Sequence, residues 1–431
     1  MIYYSHRTRK ALAEGHVYLP LGFAHYSYGS VCQKFKKLFE DRDLSAEELM
    51  MPEIYASHAD VGPRGGGRPL HVAFKPYEEI RLLKGAANVA HVAWEFDRLP
   101  TLDGLPLGHP RRANPLNDYV RVLGLVDEVW VGCAYTKRVF EGHGLAHVEV
   151  MPAPIETGRA PPGRDAPMGG GARIDGFELT RQAVAALLEG TGTPRLDQGT
   201  LLRAHETRAR GGRVFVSVCN PGDPRKNIAA MLLGFQNFLR RHKRHDLLIV
   251  KLVLSGAPEA LRLALREQLP AYFEQIGVPF GFMDCADILL VPGHLTPDAL
   301  GSLYRAAEFY LCTSAAEGQG LPVQEAMAAG LVPVSPAVTA MEDYIKPGHA
   351  VVLAAKRAPI PLQTAEAYGL CGLSWSVVDH REVSAGLAAA VAMGPQEYER
   401  RSVAAWRFIR EQYGFAALGE RLCARQAALL A

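Results

Sequence analysis

The sequence lacks the features that mark several large classes of protein. No run of about eighteen apolar residues occurs, so we expect no membrane-spanning helix. The start of the chain is polar and basic, which argues against a secretory signal peptide. Across 431 residues, 47 Lys and Arg face 45 Asp and Glu, and a net charge of +2 gives no case for nucleic-acid binding. We therefore expect a globular, cytoplasmic protein.

Metal-ligand and disulfide patterns are also missing. The seven cysteines are scattered and form no Cys-x-x-Cys pair, which predicts buried, reduced thiols. No Asp-x-Asp stands at a predicted strand end and no His/Cys cluster occurs, so we expect no bound metal and no other cofactor. A Gly-x-Gly-x-x-Gly after the first predicted strand is absent too, which argues against a Rossmann dehydrogenase.

What the sequence does contain is a repeated alternation of short apolar runs and helical patterns. Continuous apolar runs rich in Val and Ile are typical of parallel strands buried on both faces, and their alternation with helices predicts an α/β fold. Strands are predicted at 17–21, 71–75, 89–94, 128–132, 148–151, 214–218, 247–254, 288–291, 309–312 and 332–335, and helices at 228–240, 258–268, 297–307 and 322–329.

The runs fall into two series, which predicts two domains. A stretch rich in Gly, Pro and Arg separates them and is interpreted as an interdomain insertion with one helix. The predicted units are an N-terminal domain at 1–155, the insertion at 156–211, a C-terminal domain at 212–395, and C-terminal helices at 396–431 that pack back towards the N-terminal domain.

One Gly-rich segment, from Glu317 to Gly330, carries the strongest chemical signal. It follows a predicted strand, and Pro322 stands where a helix should begin. A helix start exposes unpaired N–H groups and positive partial charge, which suit a phosphate. Glu325, one turn into the helix, can hold two neighbouring ribose hydroxyls, and Glu317 can reach a sugar. A helix-capping role is the alternative for either acid.

A second segment places Arg225 and Lys226 between a predicted strand and a helix. Paired cations at such a turn suit a diphosphate, although a solvated basic turn is common. Ligands of doubly wound sheets bind outside the carboxyl ends of the strands, and both segments follow strands of the same domain. Together they predict a site for a nucleotide-diphosphate sugar.

These residues resemble the retaining glycosyltransferases of family four, which have the GT-B fold. The resemblance lies in two glutamates with seven residues between them, Glu317 and Glu325, in the pattern around them through Gly330, and in the cation pair Arg225 and Lys226. It is specific over about 212–350 and weaker over 88–155. Two positions depart from the family: Gly132-Cys133 replaces Pro-Ser, and Gln319 replaces an aromatic residue.

The resemblance implies two Rossmann-like, doubly wound domains facing a central cleft, and a retaining, metal-independent transfer of a sugar. Glu325 would bind the donor ribose, and Arg225 and Lys226, with Gly320 and Leu321, would bind the diphosphate. The donor sugar would contact Glu317, Gly318 and Gln319, and the base would lie near Val291, Gly293 and His294. His91 and its rival Glu95 would lie beside the reacting sugar, with a core histidine as the alternative for His91.

The acceptor side is less defined. By fold analogy the loop with His25, Tyr26, Tyr28 and Gly29 faces the cleft, with ordinary packing as the alternative. The resemblance fits a glycan or lipid-linked acceptor in polysaccharide or glycoconjugate biosynthesis. A basic face could suit a phosphorylated acceptor or a peripheral contact with the inner membrane surface, and a solvated helix face is the alternative. Its residues would be Lys34, Lys36, Lys37 and Arg42 with His6, Arg7, Arg9 and Lys10.

Two other functions fit the same residues. An inverting GT-B transferase or a nucleotide-sugar epimerase would use a base in the first domain, for which His25, His91 and Glu95 are candidates. A non-catalytic carbohydrate-binding protein could keep the same scaffold, but the intact charged residues at 225, 226, 317 and 325 argue against it.

Overall fold

The computed structural model describes residues 1–6, 25–54, 68–99, 102, 112, 118–158, 174–189, 199–254, 263–293 and 295–431. In these ranges the chain forms two large sheets, six-stranded and seven-stranded, and one two-stranded hairpin. Nearly all strand pairs of the large sheets are parallel. This arrangement confirms the predicted α/β fold with two doubly wound sheets.

The first sheet contains six parallel strands in the order β2-β1-β3-β4-β5-β6. Every residue of its central strands β3, β4 and β5 is buried, which explains why these strands read as continuous apolar runs. The elements are β1 Ile2–His6, α1 His25–Asp41, β2 Ala46–Glu48, β3 Leu70–Phe74, β4 Ala87–Val92, α2 Tyr119–Leu123, β5 Glu128–Val131, α3 Ala134–Glu141 and β6 Val148–Val150.

Strand β1 was not predicted. Its five residues look polar beside the basic residues that follow, yet Ile2, Tyr3 and Tyr4 are buried and the strand pairs with both β2 and β3. The β-branched and aromatic residues at its start were the available signal. The strand predicted at 17–21 lies outside the described residues.

The second sheet contains seven strands in the order β13-β12-β11-β8-β9-β10-β7, and only the edge strand β7 is antiparallel. Strands β14 and β15 form the separate hairpin. The elements are β7 Phe177–Leu179, α4 Arg181–Glu189, α5 Thr200–Ala209, β8 Val214–Cys219, α6 Ile228–His242, β9 Leu247–Leu252, α7 Leu269–Gln275, β10 Cys285–Val291, α8 Pro297–Arg305, β11 Phe309–Leu311, α9 Leu321–Ala328, β12 Val332–Pro336, β13 Val351–Leu353, β14 Lys356–Pro359, α10 Leu362–Tyr368, β15 Ser374–Val377, α11 His380–Val391, α12 Pro395–Tyr413 and α13 Phe415–Leu430.

The strand order of the second sheet reverses at β8. The chain first builds β8, β9 and β10 in one direction and then returns to place β11 on the other side of β8. Such a reversal leaves a crevice between the carboxyl ends of the two neighbouring strands, where doubly wound sheets bind their ligands. The residues that follow β8 and β11 are therefore brought together.

Part of the segment assigned to the insertion belongs structurally to the second sheet. Strand β7 pairs with β10, and Phe177, Leu179 and Val184 join the apolar core of this domain. Short strands in a Gly- and Pro-rich context give a weak periodic signal, which explains why the sequence predicted only the helix that became α4.

The two C-terminal helices connect the domains. Helix α12 places Ala405, Ile409 and Tyr413 in a core of the second domain. Helix α13 places Leu418 and Leu422 in the core of the first domain, beside Phe35 of α1. The chain therefore returns to the domain in which it started.

None of the helices in the described ranges is long and apolar enough to cross a membrane.

The seven cysteines are all free, and five are buried as predicted. Cys371 and Cys423 are exposed, because Cys371 lies in a turn after α10 and Cys423 lies on the outer face of α13. For these two residues the prediction of buried thiols was wrong.

His91, predicted to lie beside the reacting sugar, is instead buried within the first sheet. Its Nε2 lies 3.0 Å from the carbonyl oxygen of Met151, and its ring packs against Phe35 and Phe74. Burial lowers the pKa of His91 to about 4. The side chain is a neutral core histidine, because a strand buried on both faces leaves no path to the cleft.

The burial of His91 predicts a pH dependence of stability. Its pKa is near 6.5 when the chain is unfolded and about 4 when it is folded, so the unfolded chain binds the extra proton between these values. Stability should therefore fall as pH falls through this window, by about 2 kcal/mol between pH 7.5 and 5 for this group. Urea unfolding of wild type and His91→Gln at both pH values measures this, and the variant should show the smaller loss. An equal loss in both proteins would contradict the assignment.

Candidate active site

The two predicted segments meet at the reversal point of the second sheet. The first follows β8 and the second follows β11, and hydrogen bonds to the backbone carbonyls of the first segment join them. The N–H of Ala315 donates to the carbonyl of Arg225 at 2.7 Å, and the hydroxyl of Thr313 donates to the carbonyl of Lys226 at 2.8 Å. The cation pair and the acidic segment therefore form one unit.

The loop after β8 is organised by Asp223, which sequence reasoning did not single out. Its carboxylate accepts the backbone N–H of Arg225 at 3.0 Å and also binds the Arg225 guanidinium, with Nη2 to Oδ2 at 2.7 Å. Asn227 then adopts a left-handed conformation, φ 51°, before α6 begins. The Asp-Pro pair ahead of a basic dipeptide was the available signal, because aspartate caps such turns.

Arg225 and Lys226 each reach a second carboxylate. Arg225 binds Glu95 of the first domain as well as Asp223, and Lys226 Nζ lies 2.5 Å from Glu317 Oε1. Burial disfavours both charged cations, but the neighbouring acids outweigh this and raise the pKa of each. Burial likewise raises the pKa of Asp223, and the cations outweigh it and lower the pKa overall. Both cations therefore stay charged in the cleft.

Thr339 fixes the backbone at Glu317. Its hydroxyl accepts the Glu317 N–H at 2.8 Å and contacts the Glu317 carbonyl at 3.1 Å. Thr339 has a φ of 49°, a left-handed conformation that is costly for a β-branched residue. No sequence pattern identified Thr339, because its role depends on a contact across 22 residues.

Gly320 provides the turn into α9. It has a φ of 77°, and a Cβ at this position would lie 2.2 Å from the hydroxyl oxygen of buried Tyr344. Helix α9 begins at Leu321, with Pro322 second. The free N–H groups expected at a helix start are few here, because Pro322 has no N–H and those of the next two residues donate to the carbonyl of Gly320 at 3.0 and 3.2 Å. Gly320 is therefore required both for backbone conformation and for space.

Glu325, one turn into α9, faces the first domain. Its Oε1 lies 2.9 Å from Nζ of Lys34 on α1, and the two side chains remain 28% and 19% exposed. Lys34 was predicted as part of a basic surface face. Three cations of that face instead bind groups of the same chain. Lys34 pairs with Glu325, Lys37 pairs with Glu156, and Arg42 donates to the carbonyl of Ala416.

Comparison with known proteins identifies this arrangement. Residues 213–368, which contain both segments, match the family model described as Glycosyl transferases group 1. The protein is a glycosyltransferase. No curated protein matches its sequence.

Solved structures that resemble this glycosyltransferase include trehalose-phosphate synthases, at low identity. One from E. coli, bound with UDP-2-fluoro glucose, has a TM-score of 0.56 at 12% identity over 99% of both chains. A UDP-forming α,α-trehalose-phosphate synthase from Burkholderia xenovorans, in complex with glucose-6-phosphate, has a TM-score of 0.52 at 12% identity over 84% of this chain and 74% of its own. A third, from Burkholderia multivorans, has a TM-score of 0.52 at 14% identity over 84% of this chain and 70% of its own. At these identities the likeness shows the fold, which is GT-B.

Gln319 of the glycosyltransferase does not face the crevice. Its amide is occupied by the backbone N–H and carbonyl of Ala153, each at 2.8 Å, and by Gln324 at 2.8 Å. The prediction that Gln319 contacts the donor sugar is therefore corrected to an interdomain contact, because Ala153 lies where the chain leaves the first domain.

The two positions that depart from the family pattern, Gly132 and Gln319, lie close together. A Cβ on Gly132 would lie 2.8 Å from the carbonyl oxygen of Gly318 and 3.2 Å from Cβ of Gln319. A proline at 132 would collide with this loop. Gly132 and Gln319 therefore form one close approach between the first domain and the acidic loop.

The remaining predicted site residues have mixed positions. Glu95 lies in the cleft on Arg225, and Gly318 lies against Ala93 and Glu95. Tyr28 is buried, and its hydroxyl accepts the Ala93 N–H at 3.2 Å. Gly29 lies on α1 in open surroundings. The side chains of His25 and Tyr26, and all of His294, lie outside the described part of the chain.

At the predicted base pocket the structure adds Lys251, a residue that sequence reasoning missed. Val291 ends β10, and Nζ of Lys251 donates to the carbonyls of Gly293 at 2.5 Å and Leu252 at 2.6 Å. Burial lowers the pKa of Lys251 to about 8. The available signal was a lysine within the apolar run of β9, since lysine is rarely buried.

The geometry at Gly320 predicts a large effect of a single methyl group. Gly320→Ala combines backbone strain with a collision against Tyr344 and should destabilise the protein by about 2–4 kcal/mol. Gly293 also has a positive φ, 88°, but open space around its Cβ position, so Gly293→Ala should cost only about 1 kcal/mol. Urea unfolding of the two variants tests this, and equal losses would show that the Tyr344 contact is unimportant.

Proposed function

We propose that this enzyme transfers a sugar from a nucleotide-diphosphate donor to a hydroxyl acceptor with retention of anomeric configuration and without a metal ion. The observation that carries the proposal is the joining of Arg225 and Lys226 to Glu317 and the start of α9 at one reversal point of the sheet. The acceptor class that we propose is a glycan or lipid-linked hydroxyl, in polysaccharide or glycoconjugate biosynthesis.

The donor would span the crevice with its diphosphate at the cations. Arg225 offers a planar fork and Lys226 a compact charge, and the start of α9 adds the positive end of a helix dipole. Glu325 accepts the ribose hydroxyls. Glu317 lies 2.5 Å from Lys226, so a sugar attached to the diphosphate would contact it directly.

The reaction itself depends on stabilising the leaving diphosphate. As the bond from the sugar to the diphosphate breaks, negative charge grows on the phosphate oxygens, and Arg225 and Lys226 would stabilise it. The acceptor hydroxyl then attacks the same face of an oxocarbenium-like sugar, and the departing diphosphate takes its proton. Two fixed cations supply the charge that a divalent ion would otherwise bring.

Inversion stays open as a second mechanism because of Glu95. Its carboxylate reaches the cleft from the first domain, which is where a base for an acceptor hydroxyl would be needed. His91 is unable to serve, since it is buried and neutral. The stereochemistry of the product separates the two mechanisms.

Nucleotide binding without metal is the first test. UDP, GDP and ADP, titrated calorimetrically in EDTA, should show selective binding of one of them. UDP is the first choice because one similar structure is bound with UDP-2-fluoro glucose and another is of a UDP-forming synthase. Lys226→Ala and Glu325→Gln should each weaken that binding about tenfold or more, because each removes a charge-assisted contact.

The matched control is Lys36→Ala, which removes an exposed lysine of α1. It should bind as wild type does. Binding that needs Mg²⁺, or that is unchanged by both site substitutions, would contradict the proposed site.

Product stereochemistry tests the proposed mechanism. With an α-linked donor, NMR of the first product should show an α-linkage, since same-face attack retains configuration. A β-linked product would establish inversion. Glu95→Gln should then abolish turnover while leaving donor binding in place, because an inverting base acts on the acceptor.

A further inference from the structure

The ion pair between Lys34 and Glu325 joins the first domain to the donor site of the second. Lys34 lies three residues after Val31 and four before Leu38, both buried on α1, so it stands at the edge of the buried face of that helix. Lys36, two residues further, is exposed. Lys34 is therefore held in the cleft, and Lys36 faces solvent.

A second contact fixes the same two helices against each other. Leu321, the first residue of α9, packs on the apolar core of the first domain that contains Val31 and Phe35 of α1. The position of Lys34 relative to Glu325 thus rests on apolar packing as well as on charge.

We propose that Lys34 is a positioning residue for ribose recognition, and this inference rests on the proposed function. A carboxylate that binds two neighbouring hydroxyls must present both oxygens in one orientation. Lys34 binds Oε1 of Glu325 at 2.9 Å, and each carboxylate oxygen can accept about two hydrogen bonds. Both oxygens therefore keep room for a hydroxyl while the ammonium holds the rotamer.

The arrangement around Glu325 supports this role. Oε2 has no protein donor among the residues that the structure describes, and 28% of the side chain stays exposed for a ligand. A binding side chain held by a partner on another rigid element loses less freedom when the ligand arrives. The contribution of the ribose hydroxyls to affinity should then depend on Lys34.

The test compares UDP, GDP and ADP with their 2′-deoxy forms on Lys34→Met, Lys34→Arg and the charge-matched control Lys36→Met. For the ribonucleotide that binds wild type best, Lys34→Met should weaken binding about tenfold, and the 2′-deoxy form should change about twofold or less. Lys34→Arg should restore most of the difference. In steady-state assays the donor KM should rise while kcat changes little.

Three results would overturn the inference. Equal weakening of ribo- and deoxy-nucleotides would mean that Lys34 acts on the phosphates or on the fold. Tighter binding in Lys34→Met would mean that Lys34 competes with the ribose, and unchanged binding would mean that it has no role. Absence of binding by wild type would instead contradict the proposed function itself.

A double-mutant cycle protects the test against misfolding. Glu325→Gln should reduce discrimination between the ribo- and deoxy-forms, and adding Lys34→Met to it should have little further effect. Additive effects of the two substitutions would show that Lys34 does not act through Glu325. Melting temperatures of all variants identify any that fail to fold.

Discussion

Two cations, Arg225 and Lys226, lie among three carboxylates at the point where the second sheet reverses its strand order. Taking charges out of water is expensive unless each finds partners, and here Asp223, Glu95 and Glu317 provide them. The remaining features of the site support this cluster. Asp223 shapes the turn, Thr339 holds the backbone at Glu317, and Gly320 lets the chain turn into α9.

The same cluster also connects the domains. Glu95 belongs to the first domain and binds a cation of the second, and Lys34 does the converse with Glu325. Counting formal charges, three acids and two bases leave the cluster at −1, although a diphosphate donor brings further negative charge. The pair of Glu95 and Arg225 thus contributes both to the charge balance of the cluster and to the contact between the domains.

Sequence patterns predicted the strand-turn-helix segments of the second sheet and the proximity of Lys226 and Glu317, because the determinants of these segments are local. A strand, a Gly-rich turn and a helix start occupy about fifteen consecutive residues, so Glu317, Gly320 and Glu325 could be placed by spacing alone. The first domain was harder. Strand β1 has only five residues, and His91 looked like a cleft residue because a buried neutral histidine and a catalytic one have the same local sequence. The contacts of Gln319, Thr339 and Lys34 join distant parts of the chain, which periodicity and spacing do not encode.

Two connections between the domains, at Ile155 and at Gly414, lie side by side in the described part of the chain. The N–H of Ile155, on the outward crossing, donates to the carbonyl of Tyr413 on the return at 2.8 Å, and Ile155 pairs with Gly414 as a parallel bridge. Any movement of one domain against the other that keeps this bridge would turn about these two crossings, because sliding them past each other would break the hydrogen bond. The same residues would then face each other across the cleft after each closure.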